Sequence, residues 1–173
     1  MKPIWSIVLL AALTWACGKT ETQVPEPYTG PLRVAENVDM LYHEKNQLKI
    51  KLVAKTISEF QNGDREFPHG VYLEFYDERG DLQSTLKANE AFYFKEENKW
   101  RGRGDVIVVN VQKNQQLNTE ELFWKPDTKR IFTEKFVKIK LDQEIIFGTG
   151  LDAAQDMSDY EIKKTEGEFI IRD

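Results

Sequence analysis

The chain has 173 residues, 40% of them hydrophobic, which is enough for one domain with a buried core. Its 24 basic and 29 acidic residues give a net charge of −5, which argues against nucleic acid as a partner. His43 and His69 each lack a second ligand at metal-binding spacing, and the Walker, G-x-S-x-G and H-E-x-x-H motifs are absent. The sequence therefore predicts no enzyme, no catalytic residue, no metal site and no cofactor.

Residues 1–16 have the features of an export signal. Lys2 precedes an apolar run from Ile4 to Trp15, which is too short to span a hydrocarbon core of ~30 Å comfortably. Cys17, the only cysteine in the chain, follows at once, and this junction resembles the lipobox of bacterial lipoproteins. The resemblance implies cleavage after residue 16 and acylation of Cys17. An uncleaved signal anchor with an unused thiol is the alternative.

The segment after the signal differs in composition from the rest of the chain. Residues 17–31 are polar and contain three prolines, which is typical of an extended tether. We therefore predict a signal peptide over 1–16, a lipidated amino terminus and linker over 17–31, and one domain over 32–173.

Strand patterning dominates this domain. Apolar and mostly charged residues alternate from Leu48 to Lys55, from Val71 to Phe75 and from Val137 to Leu141. Residues 106–111 are apolar on both faces. The segments predict mostly antiparallel strands, each with one face in the interior.

The strands repeat with a period of about thirty residues. Residues 84–100 align with 115–131, so that Leu86 matches Leu117, and residues 145–162 continue the series with Ile146 in the same place. Upstream, Leu52 stands in the same place in the first unit of the series. Four strand–turn–strand units therefore tile the domain, and stacking them predicts two facing sheets whose end strands are open to a partner.

Three segments of the chain, "GRGDVIVV", "LNTEELFWKPDTKRIFTEKFVKI" and "IIFGTGLDAAQDMSDYEI", resemble the LptC family of the lipopolysaccharide export system. The residues that carry the resemblance are Thr119, Glu120, Glu121, Leu122, Trp124, Gly148, Thr149, Gly150, Leu151, Asp156 and Tyr160. It implies an all-β fold: a twisted antiparallel β-jelly-roll, or folded-over sheet, with a groove open along one side.

The family resemblance also implies partners and a location. Family members accept lipopolysaccharide from an inner-membrane ABC transporter and pass it to a periplasmic bridge of similarly folded proteins, joined by addition of end strands. They are usually held by an amino-terminal transmembrane helix. The lipobox here implies instead a lipid anchor on the periplasmic side of the envelope, at the inner membrane.

A carrier of this kind needs an apolar groove for the acyl chains of lipid A, lined by aliphatic and aromatic side chains. The candidates are Leu48, Ile50, Leu52, Leu73, Phe75, Leu86, Phe92, Val106, Val108, Leu122, Trp124, Val137, Ile139 and Ile146. A closed core without lipid explains the same pattern. Arg101, Arg103 or Lys135 are candidates for headgroup phosphates, although a solvated face is the better account of all three.

Other functions remain open at this level. A scaffold lipoprotein would join partner proteins edge to edge, for example through the terminal segment "EFIIRD", without binding lipid. A closed lipocalin-type barrel is disfavoured by repeats with free ends. An acid–base pair at Glu120 and Glu121 is disfavoured because adjacent strand residues point to opposite faces.

Residues 145–162 contain two glycines and three aspartates, which raises the question of a binding loop. The segment lacks the further glycine and the lysine of a phosphate loop, and the aspartate spacing does not match an EF-hand. As the last repeat, it carries Gly148 where Ala88 and Thr119 stand in earlier units. We therefore predict a structural role, in which a small residue permits close approach of neighbouring backbone or of an acyl chain.

Overall fold

The computed structural model describes residues 28–166, and within that range the chain is all-β, with eleven antiparallel strands in one sheet. The prediction of an all-β jelly-roll is confirmed. The strands are β1 (Arg33–Glu44), β2 (Gln47–Glu59), β3 (Arg65–Phe67), β4 (Val71–Tyr76), β5 (Leu82–Ala88), β6 (Glu90–Phe94), β7 (Lys99–Asn110), β8 (Gln115–Lys125), β9 (Arg130–Lys140), β10 (Ile145–Ala154) and β11 (Tyr160–Glu166).

The topology is a simple meander once two interrupted strands are recognised. β3 and β4 pair with successive parts of β2, and only residues 68–70 separate them. β5 and β6 are separated by Asn89 alone and both pair with β7. Each long strand therefore lies antiparallel to the preceding one, from β1 to β11. Short turns suffice for this order, and Lys45 and Asn46 make the first with positive φ angles of 50° and 63°.

A line of irregularities crosses the sheet. The pairing shifts between Arg103 and Val106 in β7, and again between Thr149 and Leu151 in β10. Gly104 and Gly150 lie at these shifts, with φ angles of 71° and 78° that favour glycine. Comparable shifts occur in β8 and β9. Because a bulge bends its strand, a row of them on neighbouring strands folds the whole sheet along one line, which we call the fold line.

Folding along this line makes two layers from one sheet. The first layer holds the strand halves that include 47–54, 71–76, 82–88 and 106–110, and the second holds those that include 99–102, 122–125, 130–133 and 151–154. Contacts without backbone pairing join them: the rings of Phe75 and Trp124 meet edge to face at 5.1 Å, and Gln83 Nε2 donates to Asp156 Oδ2 at 2.8 Å. The apolar core lies between the layers.

The sequence repeat corresponds to alternate strands of the meander. Leu52, Leu86, Leu117 and Ile146, which the repeat aligns, lie on β2, β5, β8 and β10. Ladder pairs with Leu73, Val108 and Ile139 on the intervening strands join them into one row across the first layer. Most of this row is buried. The period of about thirty residues is therefore the length of two strands and their turns.

The two edges of the sheet differ in exposure. β1 pairs with β2 alone among the described residues, and almost all of its twelve residues are exposed. Its inward side carries Val38, Met40 and Tyr42, opposite Ala54, Leu52 and Ile50 of β2. Among residues 28–166, no strand of the second layer packs over this stripe. The other edge is β11, and the segment "EFIIRD" beyond it lies outside the described residues.

Candidate binding cleft

An open cleft of about 1300 Å³ lies between the two layers on the side of β1 and β2. That volume exceeds the usual range for small-molecule pockets, roughly 300–1000 Å³. The cleft is lined by residues of the strands β1 to β8, by Ala154 of β10, and by residues of the turns that follow β1, β4, β6, β8 and β10. It exists because β1 and β2 extend the first layer beyond the part that the second layer covers.

The floor of the cleft is apolar and draws on both layers. Leu52 and Leu73 come from the first layer and are largely buried. Tyr93, Trp100 and Trp124 come from the second layer, where ladder pairs place them side by side in one row. The ring centroids of Tyr93 and Trp100 are 5.0 Å apart, and those of Trp100 and Trp124 are 6.0 Å apart. The floor therefore offers a continuous surface of aliphatic and aromatic carbon.

The mouth of the cleft exposes apolar side chains. Met40 is 45% exposed and Tyr42 58% exposed, and both line the cleft from β1. Exposed apolar residues standing singly are ordinary, but these adjoin the apolar floor and enlarge it. The cleft is thus open at its side, so that an elongated apolar ligand can enter without passing through a narrow portal.

Charges of both signs surround the cleft. Its lining includes the cations Lys45, Lys49, Arg65 and Lys129 and the carboxylates Glu44, Asp77, Glu78, Asp127 and Asp156. Tyr76 also lines it and donates a hydrogen bond to Glu74 Oε2 at 2.6 Å, which, with burial, raises the pKa of Tyr76 to about 12 and keeps the phenol neutral. This rim is polar and mixed in sign, and suits a sugar or phosphate headgroup above an apolar floor.

The predicted groove residues divide into four groups. Ile50, Leu52, Leu73 and Trp124 line the cleft. Phe75, Leu86, Val106, Val108, Leu122, Val137 and Ile139 are buried in the core outside the cleft lining. Leu48 and Ile146 are half-buried near the ends of β2 and β10. The closed part of the interior is therefore larger than the sequence pattern indicated.

Phe92 forms the fourth group and corrects our prediction, since it faces outward. Its neighbours Ala91 and Tyr93 take the inward positions of β6. The Arg101 guanidinium lies over the Phe92 ring, 4.5 Å from its centroid, on the outer surface. Residues 91–94 are apolar throughout, so alternation could not show which of them points inward.

Arg101 is therefore outside the cleft as well. It belongs to an outer row in which Phe92, Arg101, Phe123 and Phe132 are ladder partners on successive strands. The rings of Phe123 and Phe132 stack at 5.3 Å. Arg103 and Lys135 also do not line the cleft, so none of the three cations considered for phosphate binding does.

Sequence reasoning missed Met40, Tyr42, Tyr93 and Trp100. Met40 and Tyr42 occupy every second position after Val38 on β1. This alternation is weak as a signal because the intervening residues, Asp39 and Leu41, are not both polar. Tyr93 and Trp100 lie beside the turn at residues 95–98. Tyr93 pairs with Trp100, and Trp100 pairs with Trp124, which places the three rings in one row along the cleft.

The Thr119–Leu122 motif is structural and lies on the fold line. Thr119 Oγ1 donates to the carbonyl oxygen of Phe136 at 2.8 Å, next to the register shift between β8 and β9. Because ladder pairing is interrupted there, this side-chain hydrogen bond satisfies a backbone acceptor near the bend. Glu120 and Glu121 follow at the bend itself.

Gly148 and Gly150 have distinct roles on β10. A Cβ on Gly148 would lie 2.6 Å from the carbonyl oxygen of Lys164 on β11, and it would also meet the Ile162 side chain. The predicted close approach is therefore made by neighbouring protein. Gly150 supplies the positive φ at the shift between Thr149 and Leu151.

The turn at residues 155–159 acts as a latch between the layers, and we call it the latch turn. Asn110 Nδ2 donates to the carbonyl oxygen of Asp156 at 2.5 Å, and the Trp124 indole donates to Gln155 Oε1 at 3.0 Å. Arg130 pairs with Asp159 at the base of the turn and holds the pKa of that carboxyl below its usual value. The aspartates of this segment therefore make structural contacts, Asp156 with Gln83 and Asp159 with Arg130.

Neither a membrane helix nor a metal cluster is found in the described part of the chain. No helix among residues 28–166 is long and apolar enough to cross a membrane. No group of three or more His, Cys, Asp or Glu side chains in the same range could hold a metal ion. The predicted signal, Cys17 and residues 17–27 of the linker lie outside the described residues.

Fold and cleft together define an all-β jelly-roll, one folded sheet around an apolar interior that is open at one side. A model of the lipopolysaccharide-assembly, LptC-related family matches residues 4–165, nearly the whole chain. The protein therefore belongs to the LptC family, as its motifs indicated, and has a role in lipopolysaccharide transport and assembly at the cell envelope. This is not a known enzyme family. A search of curated proteins found no match.

Proposed function

We propose that this protein is a periplasmic carrier that holds the lipid A acyl chains of lipopolysaccharide in the cleft. The observation that carries the proposal is the open apolar floor formed by Leu52, Leu73 and Trp100, with exposed apolar side chains at the mouth. The mixed charges of the rim would lie beside the sugar and phosphate groups.

The energetics suit a carrier. Each buried CH₂ contributes ~0.8 kcal/mol, so a chain of about a dozen carbons contributes on the order of 10 kcal/mol. That holds the lipid firmly against water. Transfer to another apolar surface costs little by comparison, because the acyl chain moves from one apolar environment to a similar one. The open side of the cleft lets the chain leave.

The proposal also includes the proteins between which this carrier transfers lipopolysaccharide. The carrier accepts lipopolysaccharide from an inner-membrane ABC transporter and passes it to a periplasmic bridge protein of similar fold. The support from this chain is the meander itself, since β1 presents twelve residues of edge without a strand partner among the described residues. An edge of that length can add a strand from another protein.

We further propose that acylated Cys17 holds the protein at the periplasmic face of the inner membrane. The support is the apolar run from Ile4 to Trp15, which ends just before the only cysteine. Metabolic labelling with a clickable fatty acid should mark the wild-type protein and not the Cys17→Ser variant. Labelling of both would contradict the anchor.

A scaffold that joins partners without lipid is the second candidate. The observation that favours it is the fully buried interior around Val106, Leu117 and Ile139, which leaves no room for a ligand in that part. The two functions differ in one respect, since only the carrier requires lipid A in the cleft.

Binding of lipid A by purified protein distinguishes the two functions. Met40→Asp places a charge in the mouth of the cleft, and Val34→Asp places one at a comparably exposed site of β1 that does not line the cleft. Losing one apolar contact and burying a charge should weaken binding by Met40→Asp at least about tenfold. Val34→Asp should bind as wild type does. Absence of binding by the wild type would favour the scaffold, and equal loss in both variants would contradict the cleft.

A further inference from the structure

The cleft occupies only part of the apolar interior. In the first layer, Leu52 and Leu73 line the cleft, and the next residue of the same inner row, Leu86, does not. The row continues through Val108 and Leu117, which are 1% and 0% exposed. The interior beyond the cleft is thus equally apolar, but it is closed.

The second layer stops at the corresponding place. Tyr93, Trp100 and Trp124 line the cleft, while the next two partners in their row, Ile131 and Ala153, do not. Both of these are fully buried. Along this inward row the cleft therefore ends at Trp124, and beyond it only Ala154 and the turn at residues 155–158 line the cleft from β10.

Trp124 closes the cleft because it spans the space between the layers. Its indole meets the Phe75 ring of the first layer edge to face, with centroids 5.1 Å apart. Trp124 and Phe75 are both nearly inaccessible, so the two rings fill the gap. We call this pair the partition.

The latch turn fixes the orientation of the partition. The buried indole N–H of Trp124 donates to Gln155 Oε1 at 3.0 Å, which satisfies a donor that would be costly to bury alone. Gln155 is held in turn, because its backbone N–H donates to the carbonyl oxygen of Lys129 at 2.9 Å. Its own carbonyl oxygen accepts from Ser84 Oγ of the first layer at 3.4 Å.

From this arrangement we infer that Trp124 determines how far an acyl chain enters the protein, and so which chain lengths are held completely. The inference rests on the proposed function, since it concerns the same cleft. Carbons that reach the partition meet closely packed side chains and gain no further burial. Removing the indole would extend the cleft by the volume of that ring, up to the buried side chain of Ile131.

Affinity measured against chain length tests this inference directly. Saturated fatty acids of about eight to about eighteen carbons are titrated into the purified full chain, and the dissociation constant is measured by calorimetry. For wild type, affinity should rise about fourfold for each added CH₂ and then become constant at the partition. For Trp124→Ala, the rise should continue for several more carbons.

Phe123→Ala is the matched control, because Phe123 precedes Trp124 on β8 and faces outward. For Phe123→Ala, affinity should become constant at the same chain length as for wild type. Trp124→Phe keeps a smaller ring and loses the hydrogen bond to Gln155. It replaces Trp124→Ala if that variant does not unfold cooperatively, and it should move the limiting chain length by fewer carbons. An unchanged limit in the folded Trp124 variants overturns the inference and leaves the carrier function intact. Failure of the wild type to bind any length overturns both.

Discussion

Replacing Gly148 with alanine should destabilise the fold through crowding at the β10–β11 edge. The new Cβ would lie 2.6 Å from the Lys164 carbonyl oxygen, and that atom belongs to backbone and cannot turn aside. Overpacking of this kind costs roughly 1–3 kcal/mol. For a chain of this size each kcal/mol lowers the melting temperature by about 2–4 °C, so we expect a decrease of about 2–12 °C.

Gly80→Ala provides a control that separates crowding from backbone strain. Gly80 has a φ of +85°, yet a Cβ there meets nothing within 4 Å. Its replacement should cost about 1 kcal/mol through the left-handed conformation alone. Thermal unfolding measures both changes, and hydrogen exchange should show faster opening of β10 and β11 only in Gly148→Ala. Equal melting temperatures for wild type and Gly148→Ala would refute the reasoning.

Two further predictions concern the latch turn. Asn110→Ala removes the donor to the Asp156 carbonyl and should lower the free energy of unfolding, measured in urea, by about 2 kcal/mol; an unchanged midpoint would contradict the latch. Arg130→Met removes the partner that lowers the pKa of Asp159. This contribution is present above the unfolded pKa near 3.8 and is lost as pH falls through the lower folded value, so the difference in melting temperature between wild type and Arg130→Met should shrink on acidification. A difference in melting temperature that does not change with pH would contradict this role of the Arg130–Asp159 pair.

Much of the fold follows from local patterns. Alternation along β2 and β9 correctly predicted which side chains face inward, because strand residues alternate strictly between faces. The repeat placed Leu52, Leu86 and Leu117 in equivalent positions, and ladder pairing confirms this. Each repeat contributes two antiparallel strands. Stacking the repeats therefore returns the aligned leucines to the same row of the sheet.

The cleft was harder to predict, since it depends on how far one layer covers the other. Leu86 and Leu73 have the same pattern in sequence, but only Leu73 lines the cleft. That difference arises from the fold line and the latch turn, which bring Trp124 against Phe75. Long-range contacts of this kind leave no periodic signal in the chain.

The conformation of single positions also escaped prediction. Gly104 and Gly150 supply positive φ angles at the fold line, but a sequence does not show that these glycines, on β7 and β10, belong to one line of register shifts across the sheet. Phe92 lies in the apolar run 91–94, where alternation does not decide which residues face inward. Its outward place is decided by Ala91 and Tyr93, which occupy the core side.

Site-specific photo-crosslinking in cells tests the central claim most directly. A benzophenone amino acid replaces Tyr42, which lines the cleft and is 58% exposed, or Phe136, which is 51% exposed and does not line it. Both changes exchange one accessible aromatic residue for another, so the fold should tolerate each equally. The carrier predicts that irradiation links lipopolysaccharide to the protein at Tyr42 and leaves the protein unlinked at Phe136. Equal linkage at the two positions, or none at Tyr42, would contradict a lipid-holding cleft.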